Sequence, residues 1–404
     1  MLGLWVVTQI GNAQSTTQSI IFLMSLTLLP ILLLEFRFRR PPLLRNLDGF
    51  EVLKRADPVR VAVKLLALYT IYAGVAFIYW LMPEYAGSFY QPFWNYITPA
   101  VPWLIVLAAP YFWLIDALQD EPRDEYFELG CRLLQRSADN RVIGQLLLGW
   151  LVKGFFLPLM IIYLGNNVES FASGKFSFEW ITANFGNFYE WMWLILLTVD
   201  LAFVSIGYSA TFKIIDSNIR STEPTMLGWC VALICYDPFS SRIFSLYSDY
   251  NMDGFSWGQW LSGHHVLYAV WGSAILLLMV IYSAASVAFG HRFSNLTHRG
   301  IITNGVYRFS KHPAYLAKNL SWWLISIPFI TATGDWMMAL KACLLLVVVN
   351  LVYYLRAKTE ERHLSWDPVY REYADWVNQH GVLAVLRRFL KTTIQRLFRR
   401  RVLK

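Results

Sequence analysis

Long apolar runs, each about twenty residues and separated by short polar segments, set the organisation of this chain. The runs cover about Thr17 to Phe36, Val61 to Met82, Pro99 to Leu118, Val142 to Leu164, Glu190 to Phe212, Met226 to Leu246 and His264 to Phe289. A further stretch from Leu320 to Leu355, interrupted at Thr333-Gly334-Asp335, is long enough for two close-packed helices. A helix needs roughly 20 apolar residues to cross a bilayer, so the pattern predicts nine transmembrane helices. The Met226 to Leu246 run is the weakest, because Asp237-Pro238 falls inside it.

Basic residues in the connections set an orientation. Arg37, Arg39, Arg40 and Arg45 follow the first run, and Arg123, Arg132, Arg136 and Arg141 follow the third. Lys213 and Arg220 follow the fifth, whereas Pro83 to Thr98 has no Lys or Arg and Gly165 to Tyr189 has only Lys175. Lys and Arg are retained in cytoplasmic loops, so the N-terminus is expected outside and the segment from His291 to Lys318 in the cytoplasm. Met1 to Gln18 lacks the basic start of a secretory signal and reads as a retained external tail.

Composition narrows the class. Of 404 residues 56% are hydrophobic and 15% charged, too apolar a balance for a soluble protein of this length. The expected fold is all-α, a polytopic integral membrane protein. Three regions are expected: 1–262, an N-terminal transmembrane region; 263–380, a catalytic region; and 381–404, a basic amphipathic tail. The tail segment from Arg387 to Lys404 carries eight Lys or Arg, which suits an anionic leaflet. Its apolar face favours membrane contact over nucleic acid. The four cysteines show no metal-type or redox-type spacing, and no metal is assigned.

Candidate chemistry is concentrated near the C-terminus. Gly305-Val306-Tyr307 and Lys311-His312-Pro313-Ala314-Tyr315 precede the hydrophobic hairpin, and Glu360-Glu361, then Tyr370 and Tyr373, follow it. A hairpin returns both polar segments to one membrane face, so they are expected to form two halves of one site. Within the apolar runs Lys153, Asp200 and Asp237 are suspects for function, since burying charge in a bilayer is costly. Lys153 with Asp200 is a candidate ion pair. The small residues Ser283, Ala284, Ala285, Ser286 and Ala288, with Trp322 and Trp323, read either as a lateral gate or as plain helix packing.

The order Gly-x-Tyr, Lys-His-Pro-x-Tyr, hairpin, Glu-Glu, Tyr-x-x-Tyr resembles the catalytic end of the isoprenylcysteine carboxyl methyltransferase and phospholipid methyltransferase superfamily, over roughly the last quarter of the chain. The resemblance implies an integral membrane enzyme using S-adenosyl-L-methionine, with the His-Pro and Glu-Glu segments binding that cofactor. Lys311 stands where the family usually has Arg, which replaces a forked donor by a point charge. On this reading Gly305 permits close backbone approach, and Tyr307, His312 and Tyr315 offer flat faces and hydrogen bonds. Pro313 starts the following helix. Glu360 and Glu361 accept from ribose hydroxyls or the α-ammonium, and Arg299, Arg308 and Lys311 are candidates for the cofactor carboxylate. His298 completes the cofactor set, although a packing role suits it equally.

No catalytic base is assigned. The methyl acceptor is expected to be a lipid or other amphipathic molecule bearing a carboxylate, amine or thiol, reached at the cytoplasmic face of a plasma, inner or endoplasmic-reticulum membrane. A sterol-reductase-like enzyme using NADPH and a non-enzymatic transporter are the competing readings.

Overall fold

Arg and Lys-poor apolar runs become long helices because, in a bilayer, only intrahelical hydrogen bonds satisfy the backbone. A computed structural model describes residues 15–38, 41–46, 50–241, 256–329, 334–389 and 391. Among these, seven helices are long and apolar enough to cross a membrane, so the chain is an all-α multi-pass membrane protein. The first fourteen residues, and with them most of the expected external tail, lie outside the described residues, as does nearly all of the basic tail beyond 389.

The chain divides into two compact units. The first comprises residues 1–224 and 290–299, the second 225–289 and 300–404. The expected boundary at 262 therefore differs from the division observed, and the decapeptide 290–299 belongs with the N-terminal helices.

In the first unit the main helices are α1 (Thr16–Phe38), α2 (Pro58–Leu81), α3 (Val101–Leu118), α4 (Glu125–Leu133), α5 (Asn140–Ala172) and α6 (Phe185–Ser209). Asp57 caps α2 by accepting from the Val59 amide at 2.8 Å, ahead of Pro58 at the first helical position. The short, strongly amphipathic α4 packs on α2 at Gly130, where a Cβ would lie 2.3 Å from the Val63 carbonyl oxygen. Only glycine allows that approach.

Lys64, inside the apolar α2, is fully buried. Its ammonium lies 3.1 Å from Asp116 on α3 and 3.2 Å from Asp124, the cap of α4. Asp116 also pairs with Arg60 at 2.9 Å, and Asp124 with Lys213 at 3.1 Å. Such a closed set satisfies each charge by an opposite one, the condition under which buried ions are tolerated. The expected pair of Lys153 with Asp200 is not formed. The Lys153 ammonium lies instead over the Trp150 ring, 4.9 Å from its centre.

The 290–299 segment is fastened to the end of α6. Thr222 and Ser221 (β1) pair antiparallel with Thr297 and His298 (β2), and a Cβ on Gly207 would meet the Phe293 carbonyl oxygen at 2.2 Å.

The second unit contains α7 (Met226–Leu233), α8 (His265–Phe289), α9 (Pro313–Ser326), α10 (Trp336–Leu364) and α11 (Pro368–His380). Two expected spans are shorter than the pattern implied. The helix beginning at Met226 ends at Leu233, and Asp237-Pro238 follows. α9 has 14 residues, about 21 Å against the roughly 30 Å of a hydrocarbon core. It stops because Pro328 disfavours helical backbone at Ile327, which is extended. Within the unit α8 packs on α9, with Ser283, Ala285 and Ser286 buried. Trp271 donates to the Leu324 carbonyl at 2.9 Å, and Trp323, Asn350 and Asn319 form a hydrogen-bonded chain at 2.8 Å per link that ties α9 to α10.

Candidate active site

α9 begins at Pro313, which places His312 at its N-cap and Tyr315 three residues later on the same side. Their rings stack, 5.4 Å apart and nearly parallel. The last turns of α10 carry Glu360 and Glu361 to the same place. His312 Nε2 lies 3.2 Å from Glu361 Oε1, and the Tyr315 hydroxyl donates to Glu360 Oε2 at 3.0 Å. A carboxylate only accepts, so this Nε2 carries the proton.

The two glutamates differ. Glu361 is held by Lys311 at 2.8 Å and by Lys358 at 2.9 Å as well as by His312. These partners occupy both of its oxygens. Glu360 touches Tyr315, stands 3.7 Å from His312 Nδ1, and its side chain is 39% exposed, so it retains accepting capacity. Lys311 makes its contact with one nitrogen, as a point charge rather than a fork.

The remaining cofactor candidates separate. Gly305 has φ +57°, the left-handed region, while a Cβ there would find ordinary contact with Ala288 at 3.9 Å. Conformation rather than crowding therefore asks for glycine. Tyr307 packs its ring edge-on against Phe289, and its carbonyl accepts from the Tyr373 hydroxyl at 2.9 Å. Arg308 is exposed and Pro313 buried at the helix start. Burial beside the glutamates drives the Tyr370 and Tyr373 phenols well above their ordinary range, so both stay protonated.

His298 and Arg299 fall in the first unit, not with this cluster. Arg299 is buried, and its guanidinium donates to the carbonyls of Ser217 at 2.7 Å, Gly207 at 2.6 Å, Phe293 at 2.9 Å and His291 at 3.2 Å. Burial pushes it down to about 9, which leaves it cationic at neutral pH. Those four carbonyls make it a backbone brace of the 290–299 segment. It is not a free cation for a cofactor carboxylate.

A second layer escaped the motif reading. Tyr353 and Arg356 precede Glu360 by seven and four residues, which puts all three on one face of α10. The Arg356 guanidinium lies over Tyr315, Tyr236 and Tyr353 at 5.2, 5.6 and 5.8 Å. The helical spacing alone carried this signal.

Residues 266–366 match the model of the Isoprenylcysteine carboxyl methyltransferase (ICMT) family. The match takes in His312, Tyr315, Glu360 and Glu361, stops short of Tyr370, and covers roughly a quarter of the chain. The resemblance read from the motifs thus holds for the C-terminal region. Comparison with curated proteins and with solved structures finds no match.

Proposed function

We propose that this protein is an S-adenosyl-L-methionine-dependent methyltransferase of the membrane, acting on a lipid or other amphipathic acceptor at the cytoplasmic face. The observation that carries the reading is the joining of the two motif halves. Residues 45 and 49 positions apart meet as the Tyr315–Glu360 and His312–Glu361 contacts.

The donor set suits the cofactor. Glu360 keeps an accepting oxygen for hydroxyl or ammonium groups, and the His312 ring, stacked on Tyr315 by one face, has its other face for an aromatic base or a sulfonium. When bound, S-adenosylmethionine supplies a methyl on a sulfonium: the acceptor's lone pair bonds to that carbon, the carbon–sulfur bond breaks, and the sulfur leaves as a neutral thioether. The protein's part is orientation. Lys311 and Lys358 fix Glu361, Glu361 fixes the His312 ring, and Tyr315 fixes Glu360. A nicotinamide cofactor with an extra phosphate would call for cations where two carboxylates converge, so the reductase reading finds less support here.

The cytoplasmic placement rests on the Lys and Arg asymmetry of the loops, which assigns His291 to Lys318 to the side where the cofactor is made. Glu360→Gln tests the site. Removing the charge while keeping the shape is expected to weaken S-adenosylmethionine binding about tenfold or more, measured by calorimetry on the full chain. Unchanged affinity with an intact fold would overturn this assignment.

A further inference from the structure

Directly after α11, residues 382–389 form a further helix, α12. Val382, Val385, Leu386 and Phe389 recur at the spacing of one helix face with Leu383 at its edge, while Arg387 and Arg388 fall on the opposite side. All five apolar side chains are exposed, from 48% at Val382 to 65% at Phe389, so this face is not buried against the described residues. The level in the molecule is set by Phe309, whose carbonyl accepts from the Val382 amide at 2.9 Å. Phe309 lies four residues ahead of Pro313, where α9 begins, so α12 stands at the polar end of that helix.

An amphipathic helix at such a level is completed by the boundary between head groups and acyl chains, its apolar face inward and its cations among lipid phosphates. Charge selects the lipid. Arg387, Arg388 and Lys391 begin a run of eight Lys or Arg over 387–404, a segment with no Asp or Glu. Each basic residue near an anionic surface raises the bound population about fivefold.

The joint between α12 and the rest of its unit is tight. A Cβ on Gly381 would lie 2.7 Å from the Val377 carbonyl oxygen and 2.9 Å from that of Phe309, and Arg388 donates back to the Gln379 carbonyl at 3.0 Å. The turn that α12 meets at Phe309 is the one that carries the cofactor candidates. Its Tyr307 carbonyl accepts from Tyr373 of α11 at 2.9 Å, and its Ser310 hydroxyl accepts from the His312 amide at 3.2 Å. Three residues therefore separate the α12 attachment from His312.

We propose that α12 docks on an anionic leaflet and, through Phe309, steadies the 305–312 turn, so that lipid charge sets the affinity of the His312–Glu360 site for its cofactor. The regulatory half rests on the methyltransferase reading; the docking does not.

The full-length protein, one copy per nanodisc, is compared in phosphatidylcholine alone and in phosphatidylcholine with one third phosphatidylglycerol. Amide hydrogen exchange in α12 is expected to be about tenfold slower in the mixed discs. Calorimetry should show S-adenosylmethionine binding about threefold tighter there. Replacing Arg387, Arg388 and Lys391 together by Gln should abolish both differences; should that variant not fold, the wild type at about 1 M salt takes its place, because screening removes the same attraction. Equal exchange in the two lipids, or a difference that survives the Gln variant or the salt, overturns the docking. Protection that appears only with two copies per disc also overturns it, by making a second chain the occupant. Slower exchange at unchanged cofactor affinity overturns the regulatory link. Absence of S-adenosylmethionine binding in both discs would sink the methyltransferase reading, and the exchange result would still decide the docking.

Discussion

Two groups of charges, one in each unit, are partnered differently. In the first, Lys64, Asp116, Asp124, Lys213 and Arg60 form a closed set in which each cation faces a carboxylate within 3.2 Å. In the second, the Lys318 ammonium lies 5.2 Å from the Trp322 ring, and the Glu360 side chain is partly exposed. A closed set has nothing left to offer a ligand and can only hold helices together. An open one is stabilised less by itself and leaves donors or acceptors available. Intramembrane charge therefore marks function only after its partners are counted.

The sharpest way to break this contrast is Lys64→Met. It leaves Asp116 with Arg60 and Asp124 with Lys213 but removes the ion joining them at the point of deepest burial. Breaking a buried pair from one side costs about 3–5 kcal/mol, so thermal unfolding in detergent should show a loss of that order. Cofactor affinity of the folded fraction should hold. A variant as stable as the parent would mean the set is not structural.

A somewhat smaller effect is expected from Arg299→Lys. An ammonium cannot span the four carbonyls that the guanidinium fork reaches, and each hydrogen bond from a charged donor is worth about 1.5–3 kcal/mol. The loss should appear in unfolding and not in S-adenosylmethionine affinity. The reverse result, weaker binding at full stability, would return Arg299 to the list of cofactor residues.

The smallest effect, and of opposite sign, belongs to Tyr370→Phe in the second unit. Its hydroxyl, on α11, is buried and has no hydrogen-bond partner among the described residues. Deleting it should raise the stability of the cofactor-free protein by about 1 kcal/mol, as measured by denaturation. A loss of stability would show that the hydroxyl is satisfied, and the second unit less open than described.

Much of this architecture could be read along the chain. Apolar run length foretold the long helices, because a bilayer leaves no other way to satisfy a backbone. Motif order foretold that His312 and Tyr315 would meet Glu360 and Glu361, because a hairpin returns its ends together. Stop signals were legible too, and α9 is short because of Pro328, though counting apolar residues alone overlooked it.

Partner identity was not legible, because it depends on contacts between positions far apart in sequence. Lys64 in VAVKLLAL and Asp116 in FWLIDAL are each unremarkable as lone ions; only the packing of α2 on α3 and α4 makes them one set. Lys153 and Asp200 offered the same kind of hint and did not pair. His298 and Arg299 are neighbours of the motif in sequence, yet the fold draws residues 290–299 into the first unit and turns the guanidinium onto backbone carbonyls. Sequence by itself determined seven of the nine expected long apolar helices and which residues form the motif. Tertiary structure alone decided which charges are neutralised and which stay open, since Coulombic and hydrogen-bond energies depend on distances of a few ångströms that linear order does not specify.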